Sequence, residues 1–247
     1  MALLEIADLD VGIRQLTINN PARRNALSPE FFEQLHGALE HSAGVRVWLI
    51  RGCHGHFSAG FDLHALAEWQ AGAVLPDERM GDVLDALSTH RAPSVALVEG
   101  VAFGAGCELA LACDFRIAAT DARFCLPPAK IGVVYSQRGL SRVAQKVGLQ
   151  QARMLFLTGD VIAGPAVEAR GLVDAPLSVN AEAEALKLCR TLAANAPLAL
   201  EGMKLGLQEN RDVTRFEELR RRSFASADAR EGRLATLEKR AATFTGQ

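Results

Sequence analysis

The 247 residues carry 27 basic and 29 acidic side chains and are 49% hydrophobic and 23% charged, the profile of an ordinary globular chain and not of a disordered or fibrous one. Charges that nearly cancel leave no global field to draw the chain to nucleic acid or to an anionic membrane surface, so any anionic ligand has to be held by a local site. A chain of this length buries roughly 70% or more of its unfolded surface and needs neither disulfide nor metal to fold.

Along the chain, the segments LLEIADL and IRQLTIN alternate well enough for two short strands, with the turn-like Asp10-Val11-Gly12 between them, which predicts a hairpin. The opening MALLEIADLD has acids within its apolar stretch and no basic lead-in, so no secretory or transit peptide is expected there. Ser28 before Pro29 starts a helix, and Phe31, Leu35, Ala38 and Leu39 continue it at helical spacing to about residue 42. Val45 to Arg51 then reads as a buried strand, Gly52 to Gly60 as a loop and Asp62 to Gln70 as a helix.

A second unit of the same kind follows. Residues 82 to 90 look helical, Ser94 to Glu99 form a strand, Gly100 to Gly106 are rich in glycine, Cys107 to Cys113 form a helix and Phe115 to Ala119 a strand. This alternation predicts a parallel α/β core. Beyond about residue 180 strand signals vanish, and Ala181 to Ala194, Leu198 to Glu209, Thr214 to Ala227 and Glu231 to Ala242 all read as helices. The division this suggests is a core over residues 1–185 and a helical region over 186–247 that packs on the core or on a neighbouring subunit. The longest apolar runs fall well short of the ~20 residues a membrane-spanning helix needs.

Cys53, Cys107, Cys113, Cys125 and Cys189 are scattered with no CxxC pair, so neither a disulfide framework nor a zinc site is indicated and a reducing cytoplasm fits. A metal site built from Cys53, His54 and His56 lacks a matching carboxylate or distant histidine pair.

Two loops attract attention. The first reads His56-Phe57-Ser58-Ala59-Gly60-Phe61-Asp62-Leu63 and the second Gly100-Val101-Ala102-Phe103-Gly104-Ala105-Gly106-Cys107-Glu108-Leu109. Small residues between a strand and a helix let backbone approach a ligand, and amides at a helix start point outward with the positive end of the dipole behind them. Either loop alone could exist only so that its helix packs tightly on its strand; together they could make an oxyanion hole. Glu108 is the only charge between Glu99 and Asp114, and a carboxylate in an apolar helix is rarely there without a reason. A capping box is a poor reason, because Ala105 has no side-chain oxygen; complementing the positive helix N-terminus is the blander alternative, which would lower its pKa where burial would raise it.

Two other layouts fit less well. A dinucleotide-binding unit could use Gly104 and Gly106 with Asp121 beyond, but its third glycine position is Leu109. A serine hydrolase elbow around Ser58 would need glycine where His56 stands.

FSAGFDL followed by VEGVAFGAGCELALACDFRIA about 40 residues later resembles the paired signature of the enoyl-CoA hydratase/isomerase (crotonase) superfamily. NPARRNALS near the start and EGRLATLEKRAATFTG at the end extend the resemblance to essentially the whole chain. It implies an α/β crotonase (ClpP/crotonase-like) fold, a superhelix of repeated β-β-α units with a C-terminal helical trimerisation region, assembled as a homotrimer or dimer of trimers. It also implies an acyl-CoA substrate, with coenzyme A present only as part of the thioester, and no separate cofactor, metal, nucleic acid or membrane partner.

Residue by residue, the resemblance implies that the N–H groups of Phe61 and Ala105 bind the thioester oxygen and that Glu108 works as general acid/base. Ala59, Asp62, Leu63 and His64 would line the coenzyme A pocket, with Arg24 near the diphosphate; Arg24 could equally be half of a solvated basic pair with Arg23, and His64 a surface helix residue. The position of the second glutamate of the family's hydratases is occupied here by Pro128, which cannot handle a proton. Tyr135, the single tyrosine, resembles in position an active-site tyrosine of methylmalonyl-CoA decarboxylase, a relative that has histidine where this chain has Phe61; it could equally be a loop anchor. Arg138 three residues on could pair with a substrate carboxylate or be a surface charge. A silent acyl-CoA-binding homologue is the non-enzyme alternative.

Overall fold

A computed structural model describes residues 2–67, 69–70, 72–209 and 211–247. The chain opens with the expected hairpin, β1 (Leu4–Asp10) antiparallel to β2 (Ile13–Ile18). Helix α1 (Pro29–Glu40) begins where its sequence requires, with the Ser28 hydroxyl accepting from the Phe31 amide at 3.3 Å. Strand β3 (Val47–Gly52), the short α2 (Leu63–Ala67), α3 (Pro76–Thr89) and β4 (Ser94–Val98) follow. Strand β2 pairs parallel with β3, and β3 with β4. Helix α3 starts six residues before the apolar pattern that announces it. Its first turn holds Asp77 and Glu78, acids that suit the positive helix end but carry no apolar period.

The glycine-rich stretch, expected as loop, contains a strand. The chain leaves the main sheet at Glu99 and Gly100, runs as β5 (Val101–Phe103), and enters α4 (Ala105–Ala112). It then repeats the move with β6 (Phe115–Ala118), β7 (Arg123–Cys125) and α5 (Gln137–Val147). Strands β4 and β6 are parallel neighbours in the first sheet, and β5 and β7 parallel neighbours in the second. The outcome is a succession of β-β-α turns: a five-stranded sheet ordered β1-β2-β3-β4-β6 and a three-stranded sheet of β5, β7 and β8 (Ile162–Ala163).

Alternation along the strands separates two apolar faces. Trp48 and Ile50 of β3 with Ala96 and Val98 of β4 look toward α1, α3 and α4, and this side forms the large core. Val47, Leu49, Val95 and Leu97 look the other way, where α8 (Ala181–Ala194) covers them with Ala185, Cys189 and Leu192. Helices α6 (Leu149–Thr158) and α7 (Pro165–Ala169) add Ala152, Leu155, Phe156 and Val167 to the large core. Helices α9 (Pro197–Gly206), α10 (Val213–Ala225) and α11 (Ala227–Glu238) complete the chain, the all-helical end that the sequence predicts. Helix α8 crosses residue 186 and packs on β3, β4 and β6. Among the described residues no helix is long and apolar enough to cross a membrane.

Candidate active site

The two loops meet. The Ser58 amide donates to the Val101 carbonyl at 2.8 Å, and the Phe103 amide to the Ser58 carbonyl at 2.9 Å, so the first loop adds itself as a parallel rung to β5. Only bare backbone permits this contact: a Cβ on Gly106 would lie 2.6 Å from the Ser58 Cβ, and one on Gly60 would lie 2.7 Å from the Phe103 carbonyl oxygen and 3.6 Å from the Ala105 nitrogen. Gly60 also has φ +104°, a conformation that L residues avoid.

From the other side the N-terminal segment clamps the first loop. The Ala59 amide donates to the Arg24 carbonyl at 2.9 Å, the Leu27 amide to the Gly60 carbonyl at 2.8 Å and the Asp62 amide to the Leu27 carbonyl at 2.8 Å. Asn25 is fully buried and locks the turn beneath, its amide donating to the carbonyls of Cys53 at 2.9 Å and His56 at 2.7 Å. The pairing with Leu27 turns the Phe61 amide to the opposite side, and Ala105 is the first residue of α4, where no intrahelical acceptor exists. Among the described residues neither amide donates to a protein acceptor.

Glu108 is fully buried one turn into α4. Its Oε1 accepts from Nη1 of Arg142 on α5, whereas its Oε2 is buried without a hydrogen-bond partner. Arg142 is itself buried and also donates from Nη2 to Asp85 on α3 at 2.5 Å. Burial pushes the Glu108 carboxyl up to about 7, against the opposing pull of the Arg142 charge; Asp77 and Asp85 add to the rise. Tyr135 lies between the loops and α6, its ring edge-on to Phe156 with centroids 5.1 Å apart. A Cβ on Gly104 would lie 3.7 Å from the Tyr135 hydroxyl oxygen. Burial, and then the neighbouring Glu108, hold that phenol well above its ordinary range.

Phe61, Ala105, Glu108 and Tyr135 are therefore gathered around one point. Of the remaining residues singled out in sequence, Ala59, Leu63, His64 and Arg24 are exposed beside it. Asp62 is buried: its Oδ1 accepts from the His64 amide at 3.0 Å, starting α2, and its Oδ2 from the Arg23 guanidinium. That contact takes Arg23 out of a solvated basic pair, and among the described residues the exposed Arg24 has no side-chain hydrogen-bond partner. Pro128 is buried in a short 3-10 turn, Pro128–Ile131, leading up to Tyr135. Arg138 points away from the site, to Asp82 at 2.7 Å and Asp85 at 3.2 Å on the surface of α3, which removes it as a partner for a bound carboxylate. Among the described residues no three His, Cys, Asp or Glu side chains are grouped to hold a metal.

Sequence reasoning missed Arg142 and Gly139. The signal was present: Gly139, Arg142 and Val143 share the buried stripe of α5, and an arginine on an apolar stripe calls for a buried acid.

Comparison with known proteins agrees with this architecture. The sequence pattern of the enoyl-CoA hydratase/isomerase family matches residues 8–247. The chain is 36% identical over 242 residues to the 2,3-dehydroadipyl-CoA hydratase of Escherichia coli (strain K12), covering 94% of each. To the mitochondrial methylglutaconyl-CoA hydratase of Mus musculus it is 31% identical over 252 residues, 96% of this chain and 80% of that protein. The crystal structure of an enoyl-CoA hydratase/carnithine racemase from Magnetospirillum magneticum superposes with a TM-score of 0.92 at 27% identity, covering 100% of this chain and 97% of that one. The β-β-α succession is thus the crotonase fold, and the chain belongs to the enoyl-CoA hydratase/isomerase family.

Proposed function

We propose that this protein binds an acyl-CoA thioester and stabilises the enolate that forms beside its carbonyl, in a hydration or an isomerisation. The thioester oxygen accepts from the N–H groups of Phe61 and Ala105. Two fixed donors aimed at a developing oxyanion form the largest electrostatic contribution in such a site, and losing one typically costs about 10²- to 10³-fold in rate. Glu108 takes and returns the proton through Oε2, the oxygen with no protein partner. The observation that carries this reading is the close approach of Gly60 to Ala105, with both amides uncommitted and Glu108 one turn further along α4.

A carboxyl held up to about 7 by burial suits this work, since it exists in both protonation states near neutrality. Coenzyme A runs along the exposed edge formed by Ala59, Leu63 and His64, with the Arg24 guanidinium near its diphosphate and Asp62 holding that edge in shape.

A second reading, decarboxylation of a malonyl-type thioester, is supported by Pro128 in place of a second proton-handling carboxylate and by the Tyr135 hydroxyl beside Gly104. It needs the same two amides but not a base. Assembly as a homotrimer or dimer of trimers belongs to the same proposal and would cover exposed apolar side chains such as Val134, Leu157 and Val161.

The test is a panel of crotonyl-, 3-enoyl-, methylmalonyl- and 2,3-dehydroadipyl-CoA, followed by mass spectrometry with wild type and Glu108→Gln. Water gain, double-bond migration or carbon dioxide loss separates the reactions, and for hydration and isomerisation the substitution abolishes turnover while binding persists. Binding of every thioester without turnover would point to a silent homologue.

A further inference from the structure

A chain of ion pairs runs from solvent to the Glu108 carboxylate. Arg138, exposed on α5, donates to Asp82 at 2.7 Å and to Asp85 at 3.2 Å; Asp85 accepts from Arg142 at 2.5 Å; and Arg142 donates to Oε1 of Glu108. Exposure falls steeply along it: the Asp85 side chain is 45% exposed, Arg142 7% and Glu108 1%. The guanidinium fork occupies one carboxylate oxygen and leaves the other without a partner, so the two oxygens of Glu108 are unequal before any ligand arrives.

We propose that Arg142 is a positioning residue for Glu108, fixing Oε1 so that Oε2 alone handles the proton, and that Asp85, by sharing the same guanidinium, sets how readily that proton is held.

The proposal rests on the reading of Glu108 given above. A buried cation touching a carboxylate favours the ionised form, and an acid on the far side of the cation weakens that preference. Arg142 and Asp85 therefore act on Glu108 with opposite signs. The other groups around the carboxyl are few. Asp77 faces it from α3, where Asp82 is engaged with Arg138. Tyr135 faces it from the segment before α5, and Cys107 adjoins it on α4 itself. On α5, Lys146 is turned to the Cys113 carbonyl, and on β6 Arg116 is turned to Asp174. Arg142 is thus the one cation in contact with the carboxylate among the described residues.

The experiment is a pH titration of the protonated-carboxyl stretch by difference infrared spectroscopy on the ligand-free protein, with Glu108→Gln identifying the band. Arg142→Met is expected to move the midpoint up by about one to three pH units, the usual effect of removing a contacting opposite charge. Arg142→Lys is expected to fall between Met and wild type, and Asp85→Asn to move the midpoint down. Coincident midpoints for wild type and Arg142→Met, or a shift of Asp85→Asn in the same direction as Arg142→Met, would overturn the proposal. Should Arg142→Met not fold, the half-exposed Asp85 decides by its sign alone. No substrate enters this measurement, so it stands or falls apart from the active-site reading, which fails separately if Glu108→Gln turns over like wild type.

Discussion

A Cβ on Gly139 would lie 2.9 Å from Oε1 of Glu108, so α4 and α5 can hold the carboxylate and the Arg142 guanidinium between them only because position 139 is bare. Gly139→Ala gains about 1 kcal/mol of helix propensity, while forcing a methyl against a buried, pinned carboxylate costs about 1–3 kcal/mol. The net cost is about 0–2 kcal/mol. Thermal stability should change by no more than a few degrees, whereas displacing the carboxylate lowers kcat by up to about 10²-fold, the cost of a misplacement of about 1 Å. Calorimetry and turnover on the same sample check the contrast.

Gly106 sets the spacing of the two loops through its contact with Ser58. Gly106→Ala must push the first loop off β5 and separate the Phe61 and Ala105 amides. The expected loss in kcat is about 10²- to 10³-fold, the worth of one oxyanion donor, with the Kd for a saturated acyl-CoA changing far less. Equal losses in binding and turnover would speak against the amide pair.

Acidity gives an independent handle. The ionised form of Glu108 accepts the proton, so kcat/KM should fall as pH drops through about 7. Stability runs the other way. A carboxyl held above its ordinary value contributes stability that is full below about 4.5 and lost as pH rises through about 7, on the order of 3 kcal/mol in all. Wild type should therefore lose denaturant resistance between pH 5 and 8 by more than Glu108→Gln, which lacks the group. A rate profile flat from pH 5 to 8 would exclude Glu108 as the base.

The adjacent arginines should separate cleanly. Arg23 is half exposed and tied to Asp62; Arg23→Ala should cost under about 1 kcal/mol of stability. Arg24 is exposed, and its carbonyl accepts from the Ala59 amide of the proposed coenzyme A edge. Arg24→Ala should raise KM for CoA thioesters about tenfold with kcat unchanged, as the loss of one hydrogen bond to a charged group would. Steady-state kinetics on the two variants distinguishes them.

Local chemistry made much of this legible in the sequence. Ser28-Pro29 starts α1, and Val47 through Ile50 alternate between two cores because strand side chains do. The lone acid in an apolar helix marked Glu108 as a buried carboxylate. What stayed hidden depends on long-range packing. Residues 101–103 form a strand only because β7 and the first loop flank them, and nothing local to Arg142 says that the acid it meets lies 34 positions earlier. Arg138 and Arg142 sit one turn apart with the same chemistry; only the packing of α3 and α4 sends one to solvent and the other to Glu108.

The measurement that tests the central claim most directly is a crystal structure with a saturated acyl-CoA thioester bound. The thioester oxygen should lie about 2.7–3.1 Å from both the Phe61 and the Ala105 nitrogen, with the α-carbon facing Oε2 of Glu108. A thioester oxygen bound by neither amide, with the acyl group lodged elsewhere, would contradict it.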